Sequence, residues 1–317
     1  MKRALCAAIA VASGFLCAAA DAQTCGLVKA AGYDMVITRV GHIAINFQIG
    51  DETKLMVIDT GGVISFLDSA VVDEMKLTKR EGGLILYDAY GRKLNELAIA
   101  PSVTMGPLKI TDVEFIVSPH SYDPDAVGML GPNVLRPFDI ELDFANKKVN
   151  FFTQDHCPGK VVYWTTSGFG RIPFSYDVGR HIALTAQLDG KDINAMIDTG
   201  APYSAISAAA AHQMYDLTRD APGVDKSEGT DSNGEHWTAY SHRFAVLTLG
   251  AVSITNPEIG ILPDGAARAA QSVDDNAGHE PTLHLTPLIL GLAELRHLHM
   301  YISYKEKVIY VTPADAH

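Results

Sequence analysis

From Ile43 to Ile49 the chain reads I-A-I-N-F-Q-I, apolar and polar residues in near-alternation, which is the pattern of a strand with one buried face. A polar turn at Gly50-Asp51 follows, then a second apolar run, Leu55 to Ile58, that stops on Asp59-Thr60-Gly61. The same construction returns from His181, with a turn at Asp189-Gly190 and an apolar end at Ile197 before Asp198-Thr199-Gly200. "HIAINFQIGDETKLMVIDTGG" and "HIALTAQLDGKDINAMIDTGA" align without a gap over 21 residues, with eight identities. Each predicts a β-hairpin whose second strand delivers an aspartate onto a turn. A carboxylate at the end of a buried strand is costly unless something uses it.

A second block also recurs. Gly128 to Phe152, "GMLGPNVLRPFDIELDFANKKVNFF", resembles Leu288 to Val311, "LILGLAELRHLHMYISYKEKVIYV". Both carry an aliphatic pair and a glycine, then Leu-Arg (Leu135-Arg136 and Leu295-Arg296), then a strand–turn–strand pattern. Asp59 to Gly131 spans 72 residues and Asp198 to Gly291 spans 93, so the second copy holds about twenty extra residues. The polar, Ala- and Gly-rich stretch from Asp264 to Thr286 is the place for them, as a loop. A period this long does not fit a solenoid, and duplication of a whole lobe does. The expected organisation is a mostly β protein of two homologous lobes, residues 26–157 and 170–313, joined by a linker at 158–169. Short helices are expected over Ser65–Met75 and Ser204–Tyr215, with a helical turn after each Leu-Gly.

Composition narrows the picture. Among 317 residues, 47% hydrophobic and 20% charged is ordinary for a globular protein with a sizeable core. Residues 1–22 begin with Lys2-Arg3, continue with a short apolar run and end on Ala20-Asp21-Ala22, which reads as a cleavable signal peptide for export. Its removal leaves 23 basic side chains (25 less Lys2 and Arg3) and 36 acidic ones (37 less Asp21), a formal charge of −13. With no basic patch or run, that balance disfavours nucleic acid as a partner. No later stretch approaches membrane-span length, so no membrane association is expected once the leader is gone. Cys6 and Cys17 leave with the leader, and Cys25 and Cys157 remain as an even pair in an exported chain, for which a disulfide is the natural reading. Two isolated cysteines do not make a metal site, and the spacing of His279, His284, His297 and His299 fits no ligand pattern. His42 and His181, at equivalent positions before the first strand of each hairpin, are expected to be satisfied edge residues.

The two Asp-Thr-Gly loops carry the chemistry. Aspartate supplies a carboxylate, glycine permits a sharp turn and close approach, and the threonine hydroxyl can bond backbone across an interface. One such tripeptide carries little weight. Two, each ending an apolar strand inside a longer repeat, make a strong signal. With the aliphatic–aliphatic–Gly motifs at Met129–Gly131 and Ile289–Gly291, the sequence resembles the aspartic peptidases of the pepsin and retropepsin kind, most of all bacterial retropepsin-like proteins with an export signal. That resemblance implies a bilobal acid-protease fold, two β-barrel-like lobes related by pseudo-twofold symmetry with the active-site cleft between them. It makes Asp59 and Asp198 the catalytic pair, with Thr60, Gly61, Thr199 and Gly200 supporting the loops. Adjacent carboxylates share one proton; the charged member activates a water as general base and the protonated one donates to the scissile carbonyl. The implied activity is aspartic endopeptidase, on peptides or unfolded protein, without metal or cofactor, one chain sufficing for one site. A non-catalytic peptide- or protein-binding protein on the same fold is the alternative.

Pepsins follow Asp-Thr-Gly with Ser or Thr, whereas Gly62 and Ala201 here have no hydroxyl to favour the charged carboxylate, so a less acidic working range is expected. Flaps that cover substrate are expected in both lobes, at Tyr90-Gly91 and at Asn233-Gly234.

Overall fold

The computed structural model describes residues 26–87, 93–177, 180–230, 236–263, 273–274 and 286–315. In the first lobe the alternating run forms strand Ile43–Ile49, paired antiparallel with Glu52–Ile58 in the register Ala44 to Val57 through Ile49 to Glu52. Its apolar positions Ile43, Ile45, Phe47 and Ile49 are buried, while Asn46 and Gln48 face solvent. In the second lobe Ile182–Leu188 pairs in the same way with Lys191–Ile197.

The recurrent aliphatic–Gly block explains how each aspartate is delivered. Gly128–Leu130 runs parallel to Glu52–Ile58 and antiparallel to Phe66–Asp68, so it is threaded between the strand entering the Asp-Thr-Gly loop and the strand leaving it. Leu288–Leu290 sits identically between Lys191–Ile197 and Ala205–Ser207. A strand covered on both faces calls for an unbroken apolar run rather than alternation, and Met129-Leu130 and Leu288-Ile289-Leu290 supply one.

The remaining halves of the two blocks meet in one six-stranded sheet, in the order Lys29–Asp34, Lys148–Phe152, Asp139–Asp143, Leu298–Ser303, Val308–Pro313, Gly170–Pro173. Three strands come from each lobe. The central pair, Asp139–Asp143 against Leu298–Ser303, is antiparallel and marks the pseudo-twofold axis. This sheet buries ionisable groups that hydrophobic patterning did not reveal. His156 Nε2 lies 2.6 Å from Asp139 Oδ2, and His299 Nε2 lies 3.0 Å from Glu141 Oε1 with Trp164 stacked on its ring at 4.2 Å. The protein is thus mostly β and bilobal, with each lobe built on the same plan.

Two expectations are corrected. The helices begin later than the sequence suggests, at Ser69–Glu74 and Ala208–Tyr215. The residues before them are drawn into strands Phe66–Asp68 and Ala205–Ser207 by pairing with the threaded strands, a tertiary demand that overrides local helix preference. The long insertion of the second lobe is not loop throughout. Within it Val273–Asp274 pairs antiparallel with Leu86 and Ile85, adding an edge to a hairpin of the other lobe. The helical turns after each Leu-Gly appear at Pro132–Leu135 and Leu292–Leu295.

Candidate active site

Both Asp-Thr-Gly loops sit at the lobe interface, held at equivalent points. The Asp59 amide donates to the Leu130 carbonyl and the Asp198 amide to the Leu290 carbonyl, each at 3.0 Å. Each loop is thereby hung from the threaded strand of its own lobe.

The threonines then clasp the two lobes together. Thr60 Oγ1 donates to the Ile197 carbonyl at 3.1 Å and accepts from the Thr199 amide at 3.1 Å. Thr199 Oγ1 donates to the Ile58 carbonyl at 2.6 Å and accepts from the Thr60 amide at 3.0 Å. Both side chains are buried, so all four bonds are made away from water. Threonine at both positions answers a specific demand: a β-branched shape to fill the interface and a hydroxyl that serves one donor and one acceptor at once.

The carboxyl groups of Asp59 and Asp198 converge on one point, the Cβ position of Gly200 falling 2.6 Å from Asp59 Oδ1 and 3.2 Å from Asp198 Oδ1. Asp59 Oδ1 accepts from the Gly61 and Gly62 amides at 2.9 and 2.8 Å, and Asp198 Oδ1 accepts from the Gly200 amide at 2.8 Å. The glycines are required by space. A Cβ on Gly61 would lie 2.2 Å from Asp198 Cγ, and one on Gly200 would lie 2.6 Å from Asp59 Oδ1. Each aspartate is therefore packed over the glycine of the opposite lobe's loop, and any side chain there would push the carboxyls apart.

A further layer holds the loops from behind. Ser65 Oγ accepts from the Gly131 amide at 2.8 Å and bonds Asn133 Oδ1 at 2.7 Å. In the other lobe Ser204 Oγ accepts from the Gly291 amide at 2.9 Å and bonds Glu294 Oε2. These serines were not singled out from the sequence, although each lies six residues after its aspartate, an equal offset that the repeat alignment makes visible. Gly131 and Gly291 are pressed against the backbone of that same turn, since a Cβ would fall 2.6 Å from Ile64 C and 2.4 Å from Tyr203 O.

Burial raises the Asp59 carboxyl well above the ordinary carboxylate range, and the charge of Asp198 raises it further, against the two loop amides. Burial also raises Asp198, opposed by the Gly200 amide, the charge of His181 and the Ala201 amide. Asp59 is buried, whereas Asp198 keeps partial solvent contact although the protein packs densely around it. Such a pair exchanges protons as a unit. With one proton retained, it can hold a water, remove a proton from it and supply a proton to an acceptor opposite, which is the requirement of hydrolysis without a covalent intermediate.

The hairpins expected to serve as flaps form in their arms, Thr78–Tyr87 with Lys93–Met105 and Val224–Thr230 with His236–Arg243. Tyr90, Gly91, Asn233 and Gly234, the expected tips, lie outside the described residues. On the second arm Trp237 is opposite Gly229 and covers it, the Gly229 Cβ position falling 2.4 Å from Trp237 Cζ2. Glu228, Gly229, His236, Trp237 and Thr238 line an open hollow of about 350 Å³ beside it. Cys25 lies outside the described residues, and with it the expected bridge to Cys157. The histidines before each hairpin are corrected from edge to interior: His42 and His181 are buried, each with a carboxylate on Nδ1.

A family profile described as aspartyl protease matches the chain over residues 45–134 and 184–291. No curated protein matches it by sequence. Among solved structures, an aspartic proteinase from Irpex lacteus superposes with a TM-score of 0.51 at 12% identity, over 90% of this chain and 97% of that one. Basic 7S globulin from soybean does so with a TM-score of 0.50 at 12% identity, over 92% and 96%. At that identity the likeness is one of fold.

Proposed function

Because this chain belongs to the aspartyl protease family, we propose that it is an aspartic-type endopeptidase that hydrolyses peptide bonds of extended or unfolded polypeptides through a water activated by Asp59 and Asp198. The observation that carries this reading is the meeting of the two carboxyls across the pseudo-twofold axis, with a cross-lobe threonine clasp that fixes their separation. In the first step the ionised aspartate takes a proton from the bound water as its oxygen attacks the scissile carbonyl carbon, and the protonated aspartate donates to the carbonyl oxygen. The tetrahedral diol then collapses, the C–N bond breaks, and the amine leaves with a proton from the pair. A substrate in the cleft would be extended, offering its backbone to the flap strands as an added strand.

The test is incubation with an unfolded protein across pH 3–7, with and without a statine-type inhibitor. Inhibitor-sensitive cleavage is expected, with its maximum above the strongly acidic range because both carboxyls are raised by burial and neither following residue offers a hydroxyl. Tight inhibitor binding without cleavage at any pH would favour the non-catalytic binding reading instead.

Residues 1–22 are proposed to be a removed leader, and Cys25–Cys157 a disulfide of the exported protein. The start of the described chain supports the pairing, because the Thr153 amide donates to the Val28 carbonyl and Lys29 pairs with Phe152, in the strand that leads on to Cys157. Peptide mass mapping without reductant is expected to recover a Cys25–Cys157 linked pair. Recovery of both as alkylated thiols would refute the bridge.

A further inference from the structure

One peptide unit in each lobe is gripped from both sides. The Leu290 carbonyl accepts from the Asp198 amide at 3.0 Å, and the Gly291 amide, on the other edge of the same peptide plane, donates to Ser204 Oγ at 2.9 Å. Already accepting from Gly291, Ser204 Oγ turns its single proton to Glu294 Oε2. The bonds thus run in one direction, from the Asp198 amide through a peptide plane and a hydroxyl to a carboxyl. The first lobe repeats the relay. The Asp59 amide donates to the Leu130 carbonyl at 3.0 Å, the Gly131 amide to Ser65 Oγ at 2.8 Å, and Ser65 Oγ to Asn133 Oδ1 at 2.7 Å. Hydrogen bonds aligned in this way polarise one another, so each is stronger than it would be alone.

The two relays end differently. Asn133 is the second residue after Gly131, whereas Glu294 is the third after Gly291. The repeat therefore keeps an acceptor behind each serine without keeping the residue or the position that supplies it, which points to a demand on that atom. Asn133 is exposed, so water can stand in for its amide oxygen. Glu294 is 4% exposed and Ser204 0%. Nothing from solvent reaches that end of the relay, and loss of the carboxyl would leave the serine hydroxyl buried without an acceptor.

We propose that Glu294 is a positioning residue of the site: through Ser204 Oγ and the Leu290–Gly291 peptide it sets the lie of the Asp198 loop, and with it the approach of the Asp198 carboxyl to Asp59. The inference rests on the peptidase reading of those two aspartates. The threonine clasp fixes the loop across the interface, through the Thr199 hydroxyl on the Ile58 carbonyl. The relay fixes it to its own lobe, and the two together leave it one position. That position is exacting, because Asp198 Cγ lies only 2.2 Å from where a Cβ on Gly61 would be. A small displacement of the loop would press the carboxyl onto Gly61 or draw it away from the water it shares with Asp59, and catalysis is steeply sensitive to such misplacement.

The experiment measures kcat and KM for the wild type, Glu294→Leu, Glu294→Gln, Ser204→Ala and Leu249→Ala, each well below its own thermal midpoint. Leu249 is a core residue of the same lobe, 1% exposed, on a strand second from the edge of its sheet, and serves as the control for lost stability. Glu294→Leu and Ser204→Ala are expected to lower kcat by about tenfold with KM within about twofold of the wild type. Glu294→Gln keeps an acceptor for the hydroxyl and should stay within about threefold. Leu249→Ala should lose stability with kcat unchanged. A Glu294→Leu kcat equal to the wild type, a Glu294→Gln loss as large as that of Glu294→Leu, or a matching loss in Leu249→Ala overturns the proposal. If Glu294→Leu does not fold, Glu294→Ala carries the same comparison. NMR with isotope-labelled aspartate then reads the end of the relay directly. The Asp198 amide proton should move upfield in Ser204→Ala and Glu294→Leu and return in Glu294→Gln, while the Asp59 amide stays in place. An Asp198 amide that does not move overturns the proposal. This arm decides even where the wild type cleaves nothing, an outcome that would sink the peptidase reading alone.

Discussion

Asp59→Asn and Asp198→Asn are each expected to lower peptide hydrolysis by at least about 10³-fold, because the pair supplies both the base and the acid and an amide can be neither. The same variants should be more stable than the wild type at neutral pH. Both carboxyls are raised in the folded protein. A carboxyl so raised favours the folded state fully only below its unfolded pKa, about 3.9, and that contribution is lost as pH rises through the folded value. At pH 7 the folded protein therefore carries a penalty, because the unfolded chain ionises both carboxyls freely whereas the crowded, buried site resists it, and the isosteric amide removes that penalty. Asparagine can still accept the loop amides that bond Asp59 Oδ1 and Asp198 Oδ1. Thermal unfolding should show a gain of roughly 5 °C at pH 7 and little or none at pH 3. Loss of activity together with loss of stability at pH 7 would mean that the aspartates serve the fold, and the catalytic assignment would fall.

Thr199→Val should be the most damaging conservative change in the molecule. Valine keeps the shape but leaves the Ile58 carbonyl and the Thr60 amide buried without partners. At about 1–3 kcal/mol for each orphaned group, the expected loss is about 3 kcal/mol. Thr60→Val should cost a similar amount through the Ile197 carbonyl and the Thr199 amide. The double variant should cost less than the sum, since the second loop relaxes once the first is released. Thr199→Ser keeps the hydroxyl and should stay within about 1 kcal/mol of the wild type. Denaturant unfolding measures all four. A Thr199→Val value within about 0.5 kcal/mol of the wild type would show that the clasp contributes nothing to holding the lobes.

Much of the site was legible because its chemistry is local and written twice. Asp59 and Asp198 end apolar strands, and the equal spacing back to His42 and His181 fixes both hairpins without any knowledge of tertiary contacts. The lobe plan was legible for the same reason. What pattern reading missed depends on neighbours distant in sequence. Phe66–Asp68 and Ala205–Ser207 are strands because another strand is threaded beside them, and the alanine-rich stretch that begins at Ala208 hides that boundary. Asp139, Glu141, His156 and His299 are buried although nothing in the alternation of Asp139–Asp143 announces it, because that strand is covered on both faces by the meeting of the lobes. His42 and His181 looked like edge residues because a histidine before a strand commonly is one. Only the folded chain shows that each is buried against a carboxylate, Asp123 for His42 and Asp177 for His181.

The six-stranded sheet has a consequence for how the molecule comes into being. Its strand Val308–Pro313 pairs with Leu298–Ser303 on one side and Gly170–Pro173 on the other. Leu298–Ser303 in turn joins Asp139–Asp143, some 160 residues earlier. Contacts so distant along the chain form late, after the segments between them have been made and brought together. A partly synthesised polypeptide would carry Asp59 in a finished hairpin with nothing opposite it. On the proposed peptidase reading, the order of manufacture alone would then keep the nascent protein harmless to its neighbours until its closing strands arrive.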